Sequence, residues 1–198
     1  MKTIRIVQAA GMTLMLTTMV SLALAQGAPV NALAEPQGMH GFDFEYGQWR
    51  VHHRVKNAAS GGAWKEFDGT CTTRPFMAGQ GDIEEHVFFR PGGNTYGTAM
   101  RAFDPKTGEW AIWWIDSRYP HFALDPPVKG RFENGVGVFY AEGVVNEKTV
   151  RTRFTWSQIT PTSAHWEQAT SDDAGKTWDT NWIMEFKRVS SQSGEHHP

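Results

Sequence analysis

The stretch EWAIWWIDS, residues 109–117, decides the fold class of this chain. Apolar residues occupy positions 110–115 without a break. Successive side chains of a β-strand point to opposite sides, so the stretch has two distinct faces if it is extended. The faces are Trp110, Ile112, Trp114, Asp116 and Arg118 on one side and Ala111, Trp113, Ile115 and Ser117 on the other. A strand with three tryptophans predicts a β-protein with a strongly aromatic interior.

Nine further segments of this kind occur along the chain, with turns rich in Gly, Pro, Asp and Asn between them. They span residues 48–56, 64–74, 82–90, 95–104, 128–132, 136–145, 149–158, 163–170 and 178–188. Short strands joined by hairpin-length connections indicate an antiparallel up-and-down meander, and closure into a barrel would hide the strand edges. The predicted fold is therefore all-β, a single antiparallel up-and-down barrel of about eight to ten strands. A turn around residues 43–47 is the helical candidate.

The N-terminus has the three parts of a secretory signal peptide. Lys2 and Arg5 precede an uncharged, mostly apolar segment, and a small-x-small cleavage site ends at Ala25. The predicted organisation is a signal peptide at 1–25, a flexible leader at 26–40, a β-barrel domain at 41–188 and a disordered tail at 189–198. Cleavage after Ala34 and retention as a membrane anchor are the alternatives. The expected location is periplasmic or secreted.

Composition excludes several classes of partner. The chain has 19 basic and 21 acidic residues without a basic run, which argues against nucleic-acid binding. No apolar stretch after the signal peptide is long enough to predict a membrane span. The single cysteine, Cys71, cannot form an intrachain disulfide, and we interpret it as a small apolar strand residue rather than a nucleophile. The sequence does not determine the oligomeric state.

Two connecting segments stand out. Residues 120–128 contain Pro120, Pro126 and Pro127, which a central strand would not tolerate, so we expect a longer loop. It is either a lid across one barrel mouth or a plain crossover. Residues 171–178, SDDAGKTW, resemble the Asp-box hairpin of sialidase-type propellers, and a single copy predicts a structural hairpin rather than a propeller.

Alternation leaves open which strand faces point inward. If the Trp-rich faces point inward, the barrel is packed or lines an apolar pocket, and the rows of Arg and Glu form outer ion pairs. If the charged faces point inward, the barrel holds a polar site of Arg, Glu and His. The cost of burying charge favours the apolar interior.

The candidate ligand-binding residues are tryptophans and the polar groups that share their strand faces. They are Trp49, His53, Trp110, Trp114, Asp116, Arg118 and Trp182. The tryptophans would line a pocket for a small apolar or aromatic molecule, and the polar residues would orient it. For Asp116 and Arg118, a simple salt bridge at the barrel rim is the alternative.

No motif assigns a metal, a cofactor or a nucleophile. The chain lacks a His-x-His or His-Glu-x-x-His pattern and a cysteine pair, so we predict no metal site. It also lacks the Gly-x-Ser-x-Gly and Ser-x-x-Lys patterns of serine nucleophiles. Catalytic residues are therefore not assigned, and no cofactor is predicted.

Several segments together resemble an uncharacterised bacterial family of lipocalin-like, calycin-type β-barrels. The matching segments are FDF (42–44), GQWRV (47–51), HR (53–54), FDGTC (67–71), FDP (103–105), W-x-DSR (114–118), LDPPV-x-GRF (124–132), GVG-x-FY (135–140), WEQA (166–169) and GKTW-x-TNWIMEF (175–186). The resemblance spans most of residues 42–188. It implies a calycin-like barrel around one cavity. Barrels of this type include carriers of apolar molecules, haem proteins such as nitrobindins, and a few enzymes acting on small aromatic or acyl substrates.

Three functions follow as hypotheses. The first is an exported barrel that binds a small apolar or aromatic ligand in an aromatic-lined cavity. The second is an enzyme on the same barrel, with lyase- or isomerase-type proton transfer by His53, Asp116, Arg153 and Glu167. The third is a structural envelope protein with a packed core, which predicts no cavity.

Overall fold

The computed structural model describes residues 38–56, 62–121, 123–145 and 147–189 of the chain. The predicted signal peptide, most of the predicted leader and the tail from residue 190 lie outside the described residues. Ten antiparallel strands close into one barrel, in which each strand pairs with its sequence neighbours and β1 pairs with β10. The predicted up-and-down barrel is confirmed.

All ten strands lie where the alternation predicted them, within one or two residues at each end. They are β1 Gly47–Val55, β2 Lys65–Phe76, β3 Gly81–Phe88, β4 Thr95–Asp104, β5 Glu109–Asp116, β6 Val128–Glu133, β7 Val136–Val145, β8 Lys148–Ser157, β9 Ser163–Ser171 and β10 Asp179–Arg188. Short 3₁₀ helices occupy Asp43–Glu45 and Met77–Gly79, and only the first of these was predicted. Within the described residues, no helix has the length and apolar character to span a membrane.

The Trp-rich strand faces point into the barrel. Trp49, Trp110 and Trp156 are buried from three different strands, together with apolar residues of the same faces. The opposite faces carry ion pairs, as in the contacts of His165 with Glu167 and Glu185. The interior is nevertheless not purely apolar, because charged residues of β3 and β4 are buried in it.

The segment before β1 fills one end of the barrel. Phe42 is completely buried, and its ring lies 5.0 Å from that of Trp110 and 5.6 Å from that of Phe139. The Trp110 indole N–H donates to the Gly38 carbonyl over 2.9 Å. Arg188, a residue of β10, holds this segment in place by donating a hydrogen bond to the Tyr46 carbonyl over 2.6 Å. This end of the barrel is therefore closed by the chain itself.

Strands β5 and β6 separate toward the other end of the barrel. Their pairing covers three positions, from Trp110 opposite Gly130 to Ile112 opposite Val128. From Trp113 to Asp116, β5 pairs only with β4, and the last pair of this ladder is Asp116 opposite Gly97. The proline-containing loop between β5 and β6 starts here, so the wall of the barrel is interrupted beside its open mouth.

The predicted Asp-box hairpin joins β9 to β10 at the same open end. The Asp173 carboxylate accepts hydrogen bonds from the backbone N–H of Lys176 and Thr177, over 3.0 and 2.9 Å. The Ser171 hydroxyl accepts from the Gly175 N–H over 2.8 Å. These bonds hold the turn without a ligand, in agreement with a structural hairpin.

Candidate functional site

A cavity of about 420 Å³ occupies the open half of the barrel. Residues of the eight strands from β3 to β10 and of the loop before β6 line it. The aromatic part of the wall comes from Trp114, Phe154, Trp156, Trp166 and Trp182, and the aliphatic part includes Ile112, Val128, Val144, Val145 and Val150. Its volume lies in the range of small-molecule sites in proteins. The packed-barrel hypothesis, which predicted no cavity, does not agree with this space.

The Trp182 ring stands roughly perpendicular to two other indole rings of the wall. Trp182 lies 6.4 Å from Trp114 and 5.8 Å from Trp166 between ring centres, at interplanar angles of 87° and 89°. Edge-to-face contacts of this kind are favourable and hold each ring in a defined orientation. The rings therefore give the cavity flat apolar surfaces that a planar molecule can pack against.

Trp114 has its place because Gly97 on the neighbouring strand has no side chain. A Cβ atom at position 97 would lie 2.2 and 2.3 Å from two ring carbons of Trp114. Phe88 approaches the same point, at 3.1 Å. The glycine thus lets the indole lie against β4 instead of standing away from it.

The floor of the cavity is a buried ionic network. Arg101 lines the cavity and donates to the carboxylates of Glu45 and Glu84, and its guanidinium lies 3.5 Å from a carboxylate oxygen of Asp82. The guanidinium also lies 4.1 Å from the centre of the Phe42 ring, which closes the other side. The network therefore separates the filled end of the barrel from the cavity.

Three carboxyl groups surround one guanidinium, and burial affects them differently. Burial raises the pKa of Glu45 well above its usual range despite Arg101, and it raises the pKa of Asp82 to about 6. Burial would also raise the pKa of Glu84, but Arg101 and then His86 hold it below its usual range. Glu84 is thus the carboxylate of the network that stays ionised most readily.

Two histidines lie beside the network. His86 lines the cavity, and its Nε2 lies 2.5 Å from a Glu84 carboxylate oxygen. His53 lies 6.0 Å from His86 between ring centres, and its Nδ1 accepts a hydrogen bond from the Trp182 indole over 3.3 Å. Burial lowers the pKa of His53 to about 3, so this ring is neutral at physiological pH. His53 orients a wall residue of the cavity.

The predicted ligand-binding residues divide between the two halves of the barrel. Trp114 and Trp182 line the cavity, and His53 contacts Trp182 from behind. Trp49 and Trp110 are buried in the packed core and do not line the cavity. They support its shape from a distance and have no surface that a ligand in this cavity could contact.

Asp116 and Arg118 pair with each other at the open end. Arg118 donates from Nε to Asp116 over 3.0 Å and from a terminal nitrogen over 2.6 Å. Neither side chain lines the cavity. The geometry is that of the rim salt bridge that the sequence left as an alternative.

The four residues of the enzyme hypothesis do not converge on one site. The Arg153 guanidinium lies 4.3 Å from the ring of Trp178, a residue of the Asp-box turn, and Glu167 pairs with His165 on the outer face of β9. His53 lies inside the barrel and Asp116 at its open end. This arrangement gives no support to proton transfer by that set.

Sequence reasoning missed the floor of the cavity. Glu84 and His86 alternate with Phe88 on the inward face of β3, and Arg101 alternates with Ala99 and Phe103 on that of β4. A signal was present on β4, because Arg101 occupies a position that this face otherwise gives to apolar residues, whereas the same face of β3 carries Asp82, Glu84 and His86 with one apolar side chain, Phe88. The preference for an uncharged interior hid it.

One group of potential metal donors occurs among the described residues. The donor atoms of Cys71, Glu84 and His86 all lie within 4.8 Å of one another, and all three residues are buried. Glu84 already binds Arg101 and His86, and burial raises the pKa of the Cys71 thiol well above its usual range. Since a thiol must lose its proton to bind a metal well, these contacts oppose a cation there. Cys71 is a buried residue of β2 in the hydrophobic core, and its thiol also lies 3.7 Å from a Glu84 carboxylate oxygen.

Comparisons with known proteins give a fold and no sequence family. No protein-family model matches the chain, and no curated protein matches it. An S-type phycobiliprotein lyase from Guillardia theta superimposes with a TM-score of 0.52 at 11% identity, over 76% of this chain and 92% of the lyase. The chain is thus a closed antiparallel barrel of calycin-like type, as the resemblance implied.

Two other solved structures are similar at lower scores. A protein of unknown function from the DUF3598 family of Nostoc punctiforme has a TM-score of 0.47 at 12% identity, over 75% of this chain and 49% of that protein. This chain therefore spans about half of that protein's length. A designed fluorescence-activating β-barrel has a TM-score of 0.40 at 16% identity, over 74% of this chain and 95% of the design.

Proposed function

We propose that this protein is an exported β-barrel that binds a small, mainly aromatic or apolar molecule in the cavity of its open half. The observation that carries the proposal is the cavity of about 420 Å³, which has indole walls and an ionic floor. Such a combination is typical of sites that bury an apolar body and orient it by a few polar contacts. The similarity to the lyase supports the barrel alone and does not select a ligand.

The walls favour a flat ligand. Trp114, Trp166 and Trp182 offer ring faces and edges that are fixed by their mutual contacts and by the His53 hydrogen bond. Fixed aromatic surfaces bind planar molecules with little loss of side-chain entropy on binding. A flexible aliphatic chain would gain less from them.

Entry is favoured at the interrupted part of the wall. Val144 and Val145 of β7 line the cavity and are exposed, and Asp125 and Pro126 of the loop line it from the other side. The loop predicted to be a lid or a crossover thus contributes to the mouth. A ligand can reach the indoles there without passing the ionic floor.

Export is supported by the sequence alone. Lys2, Arg5, the uncharged apolar segment and the small residues before position 26 favour a cleaved signal peptide. The N-terminal sequence of the protein recovered from the envelope or the medium tests this part. Recovery of an intact N-terminus inside the cell would overturn it.

Competition binding tests the ligand proposal. A fluorescent apolar dye is titrated into the purified protein and displaced with flat aromatic compounds. We expect saturable binding that weakens about tenfold or more in Trp114→Ala and Trp182→Ala, because each removes a wall of the cavity. The control is Trp178→Ala, whose indole packs on its own turn through a hydrogen bond to the Gly175 carbonyl. Unsaturable binding, or equal weakening by all three variants, would contradict the proposal.

A further inference from the structure

His86 has one nitrogen bound and one nitrogen free. Its Nε2 lies 2.5 Å from Glu84, whereas its Nδ1 is buried and makes no hydrogen bond with any described residue. The side chain is 1% exposed, and the residue lines the cavity. Since buried polar atoms in folded proteins are almost always hydrogen-bonded, an unpaired nitrogen beside a cavity points to a partner on the ligand.

Arg101 is not available to a ligand, although it lines the same floor. Its two terminal nitrogens donate to Glu45 and Glu84, and Asp82 lies 3.5 Å away. Its guanidinium also covers the Phe42 ring. An anionic ligand would meet one occupied guanidinium among three carboxyl groups, and the cost of burying another negative charge there would not be offset.

The direction of the His86 hydrogen bonds follows from Glu84. The contact of Glu84 with the Arg101 guanidinium favours the ionised carboxylate, and an ionised carboxylate can only accept hydrogen bonds. Nε2 of His86 must therefore carry the proton that lies between the two residues. In the neutral imidazole Nδ1 is then a lone-pair acceptor.

We infer that the ligand is a neutral aromatic molecule with a hydroxyl or ring N–H that donates a hydrogen bond to His86 Nδ1. The inference rests on the proposed function and narrows it to phenols and N–H heteroaromatics, and it excludes carboxylates. Trp114 lies 5.9 Å from His86 between ring centres, so a ring that packs on this indole brings its substituent to the floor.

Three probes of one shape test the inference. They are 2-naphthol, which donates a hydrogen bond; 2-methoxynaphthalene, which does not; and 2-naphthoate, which is anionic. Their affinities are measured by dye displacement on the wild-type protein. We expect 2-naphthol to bind about tenfold more tightly than the ether, since a satisfied buried hydrogen bond is worth about this factor. We expect 2-naphthoate to bind more weakly than the ether.

Two histidine variants locate the acceptor. His86→Phe keeps an aromatic ring and removes the nitrogen, so the ratio of the 2-naphthol and ether affinities should fall from about ten to about one, whatever the affinity for the ether itself. The comparison variant is His53→Phe, because Nε2 of His53 is also buried without a partner. This variant also removes the hydrogen bond to Trp182, so both probes should bind more weakly, but the ratio of their affinities should stay as in the wild type. Loss of the preference in His53→Phe alone would overturn the assignment to His86.

A measurement on the wild-type protein covers the case in which His86→Phe does not fold. The ¹⁵N resonance of His86 Nδ1 should shift on addition of 2-naphthol and stay in place with 2-methoxynaphthalene. Equal affinities for the two probes, or tighter binding of 2-naphthoate, would overturn the inference and leave the proposed function standing. Binding of no probe and no dye would overturn both.

Discussion

The two halves of the barrel are built from the same kinds of residue and have opposite properties. The filled half packs Trp110 and Phe139 around Phe42, and all three are buried, as is Trp49. The open half arranges its indoles around a cavity of about 420 Å³. A high tryptophan content therefore does not distinguish a packed core from a binding site.

The difference comes from one short segment outside the strands. Residues 38–46 place Phe42 among the rings of the filled half, and the described residues provide no equivalent segment for the open half. The Arg101 network lies between the two regions, with Phe42 on one side and the cavity on the other. The barrel thus has a closed end supplied by its own chain and an open end for a ligand.

The boundary between the halves should be the most sensitive part of the molecule. Arg101→Met would leave Glu45 and Glu84 buried without their cation, and we expect it to lower the free energy of unfolding by about 3–5 kcal/mol. The matched control is Arg153→Met. Arg153 also covers an aromatic ring, that of Trp178 at 4.3 Å, but that ring belongs to the Asp-box turn. The control should cost less than about 1 kcal/mol.

Denaturant titration of both variants makes this measurement. Similar losses in Arg101→Met and Arg153→Met would show that the buried network does not hold the two halves together. The difference between the two halves would then depend on apolar packing alone.

Truncating one aromatic residue in each half separates packing from binding. Phe42→Ala removes the centre of the filled half and should cost about 3–4 kcal/mol, as for large core truncations in general. Trp114→Ala removes a wall that is 36% exposed, and it should cost less than about 1.5 kcal/mol while binding is lost. Thermal or chemical unfolding together with dye binding checks both. A Trp114→Ala loss as large as that of Phe42→Ala would mean that the open half is part of the core.

How far the sequence predicts this molecule depends on the feature. Alternation was enough for the ten strands and for dividing each into two faces, because burial on one side of a strand has a period of two. It left open which face points inward, and only the cost of burying charge favoured the apolar one. It could not distinguish Trp49 from Trp114. Both lie on inward faces, but Trp49 lies at the filled end, where its indole donates to the Glu45 carbonyl and packs on Phe186, whereas Trp114 lines the cavity.

The ionic floor shows a second limit. Glu84 and His86 lie on β3, and Arg101 lies on β4. The pairing of these two strands brings the three side chains together. The free-energy cost of burying a charge argued against placing these residues inside the barrel, but that cost applies to isolated charges. The cost is much smaller in a network where each charge has a partner. Partners on different strands cannot be identified from the sequence until the pairing register of the strands is known.

The charge of Asp82 gives the floor a pH dependence with a defined sign. The carboxyl is completely buried, and burial, opposed by Arg101, raises its pKa to about 6. The unfolded chain releases this proton near pH 4, so between about pH 4 and 6 the folded state binds more protons and its stability falls as the pH rises. This contribution is on the order of 2 kcal/mol and stays constant above pH 6.

Asp82→Asn removes this group with little change in volume. The free energy of unfolding of the variant minus that of the wild type should increase by on the order of 2 kcal/mol between pH 4 and pH 8. Chemical unfolding at the two pH values provides the number. A difference that does not change with pH would mean that Asp82 is ionised in the folded protein at both values.

The smallest expected effect on stability lies at Gly97. An added methyl group there would meet the far end of the Trp114 ring at 2.2 Å, and a side chain at the cavity edge can move away from it. We expect Gly97→Ala to change the free energy of unfolding by less than about 1 kcal/mol but to weaken dye binding several-fold and to alter the indole fluorescence, because the displaced ring narrows the cavity. Gly143→Ala on β7 is the comparison: Gly143 also lines the cavity, but a Cβ there has no neighbour within 4 Å and displaces no ring. If Gly97→Ala binds the dye as Gly143→Ala does, Trp114 is not a wall of the site. If Gly97→Ala binds the dye more weakly at unchanged stability, the open half can be altered without loss of the fold. We expect no such tolerance in the filled half, where a change at Phe42 lowers the free energy of unfolding.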